Sequence, residues 1–302
     1  MKKTLTEKIV DLIRETSSSL PEDVLKALRA AQRREAKGSS ASVVLKTVLD
    51  NCAIAAKRGT PLCQDTGTLT FFVDERLRRK VTPDVLKKAV AIATERGYLR
   101  RNTIDSVTGK SYDDNVTDGA PVVHYVAREA SRSSCASDSR ASRPTVTLVM
   151  KGGGSENMSR QYSLPDAALG AGRDLAGVRK CVLDAVQKIQ GYGCAPGILG
   201  VCIGGDRATG YEVAKEQLLR PLDEPRRRQS TAIDGYRSEK ELAALETRLL
   251  REANSLGIGP MGLGGKTTLL GVKLASRPRV PASFFVTVAY MCWACRRRTM
   301  KV

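Results

Sequence analysis

The chain has 302 residues, enough to bury a full core in one large domain or two modest ones. A formal charge of +18 favours anionic partners, whether nucleic acid, an acidic surface or small carboxylates. A single histidine excludes multi-histidine zinc hydrolases and most Ser-His or Cys-His dyads, and eight unevenly spaced cysteines point to buried thiols or soft-metal ligands rather than a disulfide framework. No apolar run approaches the roughly 18 residues of a membrane span, so a soluble, cytoplasmic protein is expected.

The first 58 residues read as helices. Leu5, Ile9, Leu12 and Ile13 recur at helical spacing, Leu20-Pro21-Glu22-Asp23 opens a second helix, and a third starts after Gly38-Ser39-Ser40. These form a helical cap (about 1–58) ahead of a loop, Pro61-Leu62-Cys63-Gln64-Asp65-Thr66-Gly67-Thr68, that runs into the apolar Leu69-Thr70-Phe71-Phe72-Val73. Within six residues that loop offers a thiol, an amide, a carboxylate and two hydroxyls, held between rigid elements where reactive side chains tend to sit.

An amphipathic helix is expected over 81–96, leading into Gly97-Tyr98-Leu99-Arg100-Arg101-Asn102 and a polar loop to Asp118 suited to ligand contacts. His124, in the strand-like 121–126, reads as structural. The Ser/Arg stretch at 130–144, with Cys135, reads as a surface hairpin tip or insertion. Thr145-Val146-Thr147-Leu148-Val149-Met150 alternates as a strand, and Lys151-Gly152-Gly153-Gly154-Ser155-Glu156-Asn157 follows as a polar turn whose amides could converge on an anion.

A helix over 175–189 places Cys181 on its apolar face. Gly193-Cys194-Ala195-Pro196-Gly197 then leads into a buried-strand pattern containing Cys202. Arg226-Arg227-Arg228 reads as an exposed loop before a helix over 238–253. The stretch 257–268 nearly matches two nucleotide motifs. The G-x-G-x-x-G of 257, 259 and 262 follows a helix instead of a strand, and the phosphate-loop ending Gly265-Lys266-Thr267 has Pro260 where its first glycine belongs. What remains is a glycine-rich loop with amides able to bind an anion. A strand at 284–290 ends in Met291-Cys292-Trp293-Ala294-Cys295, a lone Cys-x-x-Cys that signals zinc only weakly.

Cys63, Cys194 and Cys292 share a setting, each where a loop meets an apolar strand, and three thiolates without histidine suit iron-sulfur chemistry better than structural zinc. The blocks 61–68, 151–157, 193–196 and 257–268 together resemble the alpha-type catalytic domain of the iron-sulfur hydro-lyases, class I fumarase and L-tartrate dehydratase, in the same order and over nearly the whole chain. The resemblance implies a mixed α/β fold with the cluster at loop-strand junctions, one catalytic domain over 1–302, and a 4Fe-4S cluster on Cys63, Cys194 and Cys292, with Cys181 and Cys295 as rivals for the last two. It implies that Gln64 and Asp65 meet the substrate, Asp65 being catalytic, and that Arg100 and the amides around Gly154 bind a C4 dicarboxylate undergoing hydration or dehydration. It also implies a separate beta-type subunit carrying the remaining catalytic groups, hence a hetero-oligomer without membrane or nucleic acid.

The chain departs from the family with Cys194-Ala195-Pro196 in place of Cys-Pro-Pro, and with Asn115-Val116-Thr117-Asp118-Gly119 in place of an Asn-Thr-Gly-Asp-Asn segment. These departures bear on substrate choice. Two other readings compete: a basic nucleic-acid-binding protein without catalysis, supported by charge but short of Phe and Trp for stacking, and a zinc-stabilised interaction protein lacking a second Cys pair.

Overall fold

The computed structural model describes residues 3–127, 143–223 and 235–302, with side chains of 235–239 excepted. The Ser/Arg stretch with Cys135 (apart from residues 143 and 144) and the arginine run at 226–228 lie outside the described residues. In chain order the elements are α1 (Leu5–Ser18), α2 (Glu22–Arg34), α3 (Ser40–Arg58), β1 (Thr68–Asp74), α4 (Pro83–Glu95), β2 (Val122–Val126), β3 (Thr145–Lys151), α5 (Gly153–Asn157), β4 (Arg160–Ser163), α6 (Leu175–Ile189), β5 (Gly197–Gly204), α7 (Arg207–Gln217), α8 (Gly235–Ser255), β6 (Leu269–Arg277), β7 (Phe285–Met291) and β8 (Arg296–Lys301). The fold is mixed α/β, as the resemblance implies, and helices precede the sheets.

Two compact units divide the chain. The first comprises 1–21, 50–153 and 296–302; the second comprises 22–49 and 154–295. The N-terminal helices are shared out: α1 belongs to the first, α2 to the second, and the division falls within α3.

The first unit is built on a sheet ordered β2-β1-β3-β8. β1 runs parallel to β2 and antiparallel to β3, which pairs antiparallel with β8. Apolar residues at i, i+3 and i+4 put Ile9, Val10, Leu12 and Ile13 of α1 and Leu86, Ala89, Val90 and Ala93 of α4 into one core with Phe71, Val73 and Leu148. α4 starts where the Thr82 side chain accepts a hydrogen bond from the Val85 N–H, with Pro83 in the first turn. His124 stacks on Phe72 from the neighbouring strand, ring centroids 5.2 Å apart, so the lone imidazole packs on the sheet as expected.

The second unit carries the sheet β4-β7-β5-β6. β5 is buried along its whole length, pairing parallel with β6 and antiparallel with β7, which explains its unbroken apolar sequence. Its core gathers Cys181, Val182 and Val186 of α6, Leu245 and Leu249 of α8, and Val201, Val288 and Tyr290.

Some elements differ from expectation. The polar turn after the three glycines begins a short helical stretch, α5, because Gly153 and Gly154 adopt helical geometry at the end of β3. The helix expected at 238–253 spans Gly235–Ser255. β4, α7, β6 and β8 went unread. β8 was hidden because its Arg-Arg-Arg start looks like solvated charge, yet Arg296 is only 2% exposed.

Candidate active site

In the first unit the Cys63 loop is fastened by its backbone. Leu62 donates its N–H to the Ser17 carbonyl at 3.0 Å, and the Asn51 side chain donates to the Leu62 carbonyl at 2.9 Å. Thr66, almost fully buried, exchanges two bonds with Arg100: its hydroxyl accepts from the Arg100 N–H and donates to the Arg100 carbonyl, both at 2.9 Å. This brings the loop of Cys63 and the loop of Arg100 side by side.

Asp65 turns back on its own loop. Its Oδ1 accepts from the Gly67 N–H at 2.9 Å and from the Asn102 side chain at 3.2 Å. A Cβ at residue 152 would lie 2.7 Å from Oδ2, so only glycine there lets the carboxylate keep its place. Gly67 sits at φ +73° with the Lys151 carbonyl against it, combining a left-handed backbone with a close approach. Arg100 extends its guanidinium to 3.5 Å from the Gln64 amide oxygen. Gln64 and Arg100 thus meet, on a loop that also carries Asp65 and the partly exposed Cys63.

Asn115 holds the Arg100 loop from inside. It is 1% exposed, lies at φ +61°, and its Oδ1 accepts from the N–H groups of Asn102 and Thr103, both at 3.0 Å. Its amide donates to the Arg100 carbonyl at 2.9 Å and to the Thr94 hydroxyl at 3.1 Å. The sequence does not show that Asn102, Asn115 and Thr66 tie these loops together. The usable signal was an asparagine in a turn-rich loop, a residue type that tolerates left-handed backbone.

In the second unit Cys194 is exposed, at φ +54°, and Cys292 follows directly on β7, partly exposed. The Trp293 N–H donates to the Cys194 carbonyl at 3.4 Å and the Cys292 N–H to the Ser155 hydroxyl at 3.1 Å. Tyr290, two residues before Cys292 and packed against Gly193 and Gly197, is 1% exposed. Burial, and next the neighbouring Cys292 and Cys194, hold its phenol protonated far above its ordinary range. Its hydroxyl has no hydrogen-bond partner among the described residues. Gly154 opens the second unit at the start of this region, and a Cβ there would meet nothing within 4 Å.

The rival cysteines are accounted for. Cys181 and Cys295 are fully buried, as are Cys52 and Cys202 to within a few per cent. Burial pushes the thiols of Cys52 and Cys202 up to about 11 and that of Cys181 to about 12, which keeps them protonated and unreactive. Cys181 and Cys202 are therefore packing residues, as expected.

The glycine-rich stretch 257–268 does not offer the anion site its composition suggests. The Lys266 N–H donates to the Glu35 carboxylate at 3.0 Å, and those of Thr268 and Leu269 to the Asn254 side chain at 2.8 Å. Gly259, Met261, Gly262 and Gly264 likewise donate to protein oxygens, so these amides are already engaged.

Among the described residues no three His, Cys, Asp or Glu side chains are grouped so as to hold a metal ion. The second unit nevertheless carries two thiols that are not buried, Cys194 and Cys292, and in the same region a buried O–H with no acceptor among the described residues, groups that fit an electron-rich sulfur cofactor. Cys63 belongs to the first unit.

A mixed α/β chain in which a guanidinium meets an amide, on a loop that also carries a carboxylate and a partly exposed thiol, has groups suited to binding an anion. A family profile described as fumarate hydratase (Fumerase) matches residues 6–301, and the chain belongs to that family. It is 45% identical over 298 residues to a putative fumarate hydratase class I of Geobacillus stearothermophilus, covering 97% of this chain and 54% of that protein. It is 32% identical over 304 residues to a putative L(+)-tartrate dehydratase subunit alpha of Methanocaldococcus jannaschii, covering 99% and 97% respectively. The L(+)-tartrate dehydratase subunit alpha of Escherichia coli K12 is 29% identical over 302 residues, 99% of this chain and 90% of that one. The chain thus spans about half the length of the Geobacillus relative and nearly all of the alpha subunits. No helix among the described residues is long and apolar enough to cross a membrane.

Proposed function

We propose that this chain is the alpha-type part of a cytoplasmic hydro-lyase that adds water to, or removes it from, a C4 dicarboxylate such as fumarate/malate or tartrate/oxaloacetate. The observation that carries this reading is the contact of the Arg100 guanidinium with the Gln64 amide, on the loop that also holds Asp65 and the partly exposed Cys63. The family, whose named relatives are a fumarate hydratase and tartrate dehydratase alpha subunits, supports it.

Cys63, Cys194 and Cys292 are the residues that would hold a 4Fe-4S cluster. When bound, such a cluster supplies an open iron that acts as a Lewis acid toward a substrate hydroxyl. Arg100 would match one carboxylate with a two-pronged donor, Gln64 would offer an amide donor beside it, and the N–H groups around Gly154 are assigned to the second carboxylate. Asp65, whose Oδ1 is fixed by hydrogen bonds from Gly67 and Asn102, is assigned as the catalytic carboxylate that meets the substrate. The proton on the adjacent carbon is assigned to a beta-type partner subunit, in keeping with the relatives named as alpha subunits.

The test is reconstitution. The anaerobically prepared chain should be brown, show little fumarate hydration alone, and gain it with a beta-type subunit; a substrate panel of fumarate and L-tartrate then fixes the diacid. Strong activity of the isolated chain contradicts the need for a partner. A colourless chain and an inactive pair contradict the whole reading.

A further inference from the structure

The unexplained group in the second unit is the Tyr290 hydroxyl. Tyr290 lies on β7, paired with Leu199 of β5, in the most buried part of the sheet, and its ring is enclosed by the Cys194 loop. A Cβ at Gly193 would stand 2.9 Å from the phenol Cζ, and one at Gly197 would overlap the Tyr290 hydroxyl itself. Both residues flanking the Cys194-Ala195-Pro196 turn are thus glycines pressed on this one ring. Cys292 is two residues further along the same strand, with its N–H fixed to Ser155.

Phenylalanine would fill this space as well. A buried hydroxyl without a partner costs about 1–3 kcal/mol, and native structures seldom keep one without a use. What the two nearby thiols could present, once loaded, is sulfur carrying negative charge.

We infer that the Tyr290 hydroxyl is a built-in hydrogen-bond donor to sulfur at the Cys194/Cys292 end of the cluster site, a positioning residue that tunes the cluster and takes no part in the bond-breaking. The inference rests on the proposed cluster. A donor aimed at cluster sulfur favours the more negatively charged, reduced form and so raises the reduction potential.

The test compares the full chain with Tyr290→Phe, both reconstituted anaerobically with iron and sulfide and read by redox titration and by the vibrational bands of the iron-sulfur bonds. Y290F should keep its iron content, shift the oxidised/reduced equilibrium about tenfold toward the oxidised form, or about 59 mV to the negative for one electron, and move the bands. The cluster-free variant should unfold at an equal or higher temperature, because an orphaned polar group has gone. An unchanged potential with unchanged bands in a loaded Y290F overturns the inference and leaves the proposed function standing. A wild-type chain that takes up no cluster overturns both.

Discussion

Replacing Asn115 by alanine tests the support behind Arg100. The side chain makes four bonds, but they are not equally exposed to loss. The Arg100 carbonyl keeps the Thr66 hydroxyl as a donor, and the Thr94 hydroxyl keeps the carbonyls of Val90 and Asp114 as acceptors. The N–H groups of Asn102 and Thr103 lose the acceptor that Oδ1 provides. Two orphaned donors cost about 1 kcal/mol each at the low end, fitting for a loop near solvent. Alanine at φ +61° adds about 1 kcal/mol of backbone strain. The total is about 3 kcal/mol, a factor of roughly 150 in the local opening equilibrium. Native-state amide exchange at Asn102 and Thr103 reads this directly and need not assume that the two units unfold together. Asn115→Gly relieves the backbone while leaving both donors orphaned, so it should recover about 1 kcal/mol relative to alanine. Wild-type exchange rates at these amides in both variants would refute the assignment of Asn115 as the clamp.

Asp65→Asn keeps an acceptor for the Gly67 N–H and changes only charge and proton affinity; activity of the reconstituted pair should fall about 10²- to 10⁴-fold with the thermal midpoint unmoved. Gly67→Ala forces a Cβ against the Lys151 carbonyl at φ +73° and should cost about 2–5 kcal/mol in urea unfolding. Alkylation of the native, cluster-free chain, mapped by mass spectrometry, should label Cys63, Cys194 and Cys292 and spare Cys52, Cys181 and Cys202. Those three buried thiols stay protonated when folded but ionise near pH 8.5 when unfolded, so the unfolded chain binds fewer protons and stability should decline above about pH 8.5. The decline ends as the folded thiols themselves ionise, at about 11 for Cys52 and Cys202 and about 12 for Cys181.

The elements legible in the sequence were those whose burial is one-sided or complete. α1 and α4 announce themselves by an apolar stripe, and β5 by an uninterrupted apolar run. β6 was missed because Gly271 and Lys273 interrupt its pattern, although Lys273 is buried like its neighbours, its ammonium 3.4 Å from the Leu222 carbonyl. β8 was missed for a related reason. Long arginine stems can cover a sheet while their heads find partners, and Arg298 does so through Glu15 at 3.3 Å and the Ser19 hydroxyl at 2.7 Å.

The candidate site is legible where groups are local in sequence and illegible where it depends on contacts distant in sequence. Cys63, Gln64 and Asp65 share one loop, and the Gly/Pro surroundings of Cys194 mark a turn, so these residues could be named from neighbours alone. Nothing along the chain says that Thr66 pairs with Arg100, that Asn115 spans back to Asn102, or that Tyr290 fills the turn around Cys194. The Cys292-x-x-Cys295 motif shows the same limit from the other side. A zinc knuckle must present both thiols to one ion, yet Cys292 is partly exposed at the end of β7 while Cys295 is fully buried. The spacing makes the two cysteines look equivalent, but burial separates them: Cys292 is partly exposed two residues after Tyr290, and Cys295 is enclosed.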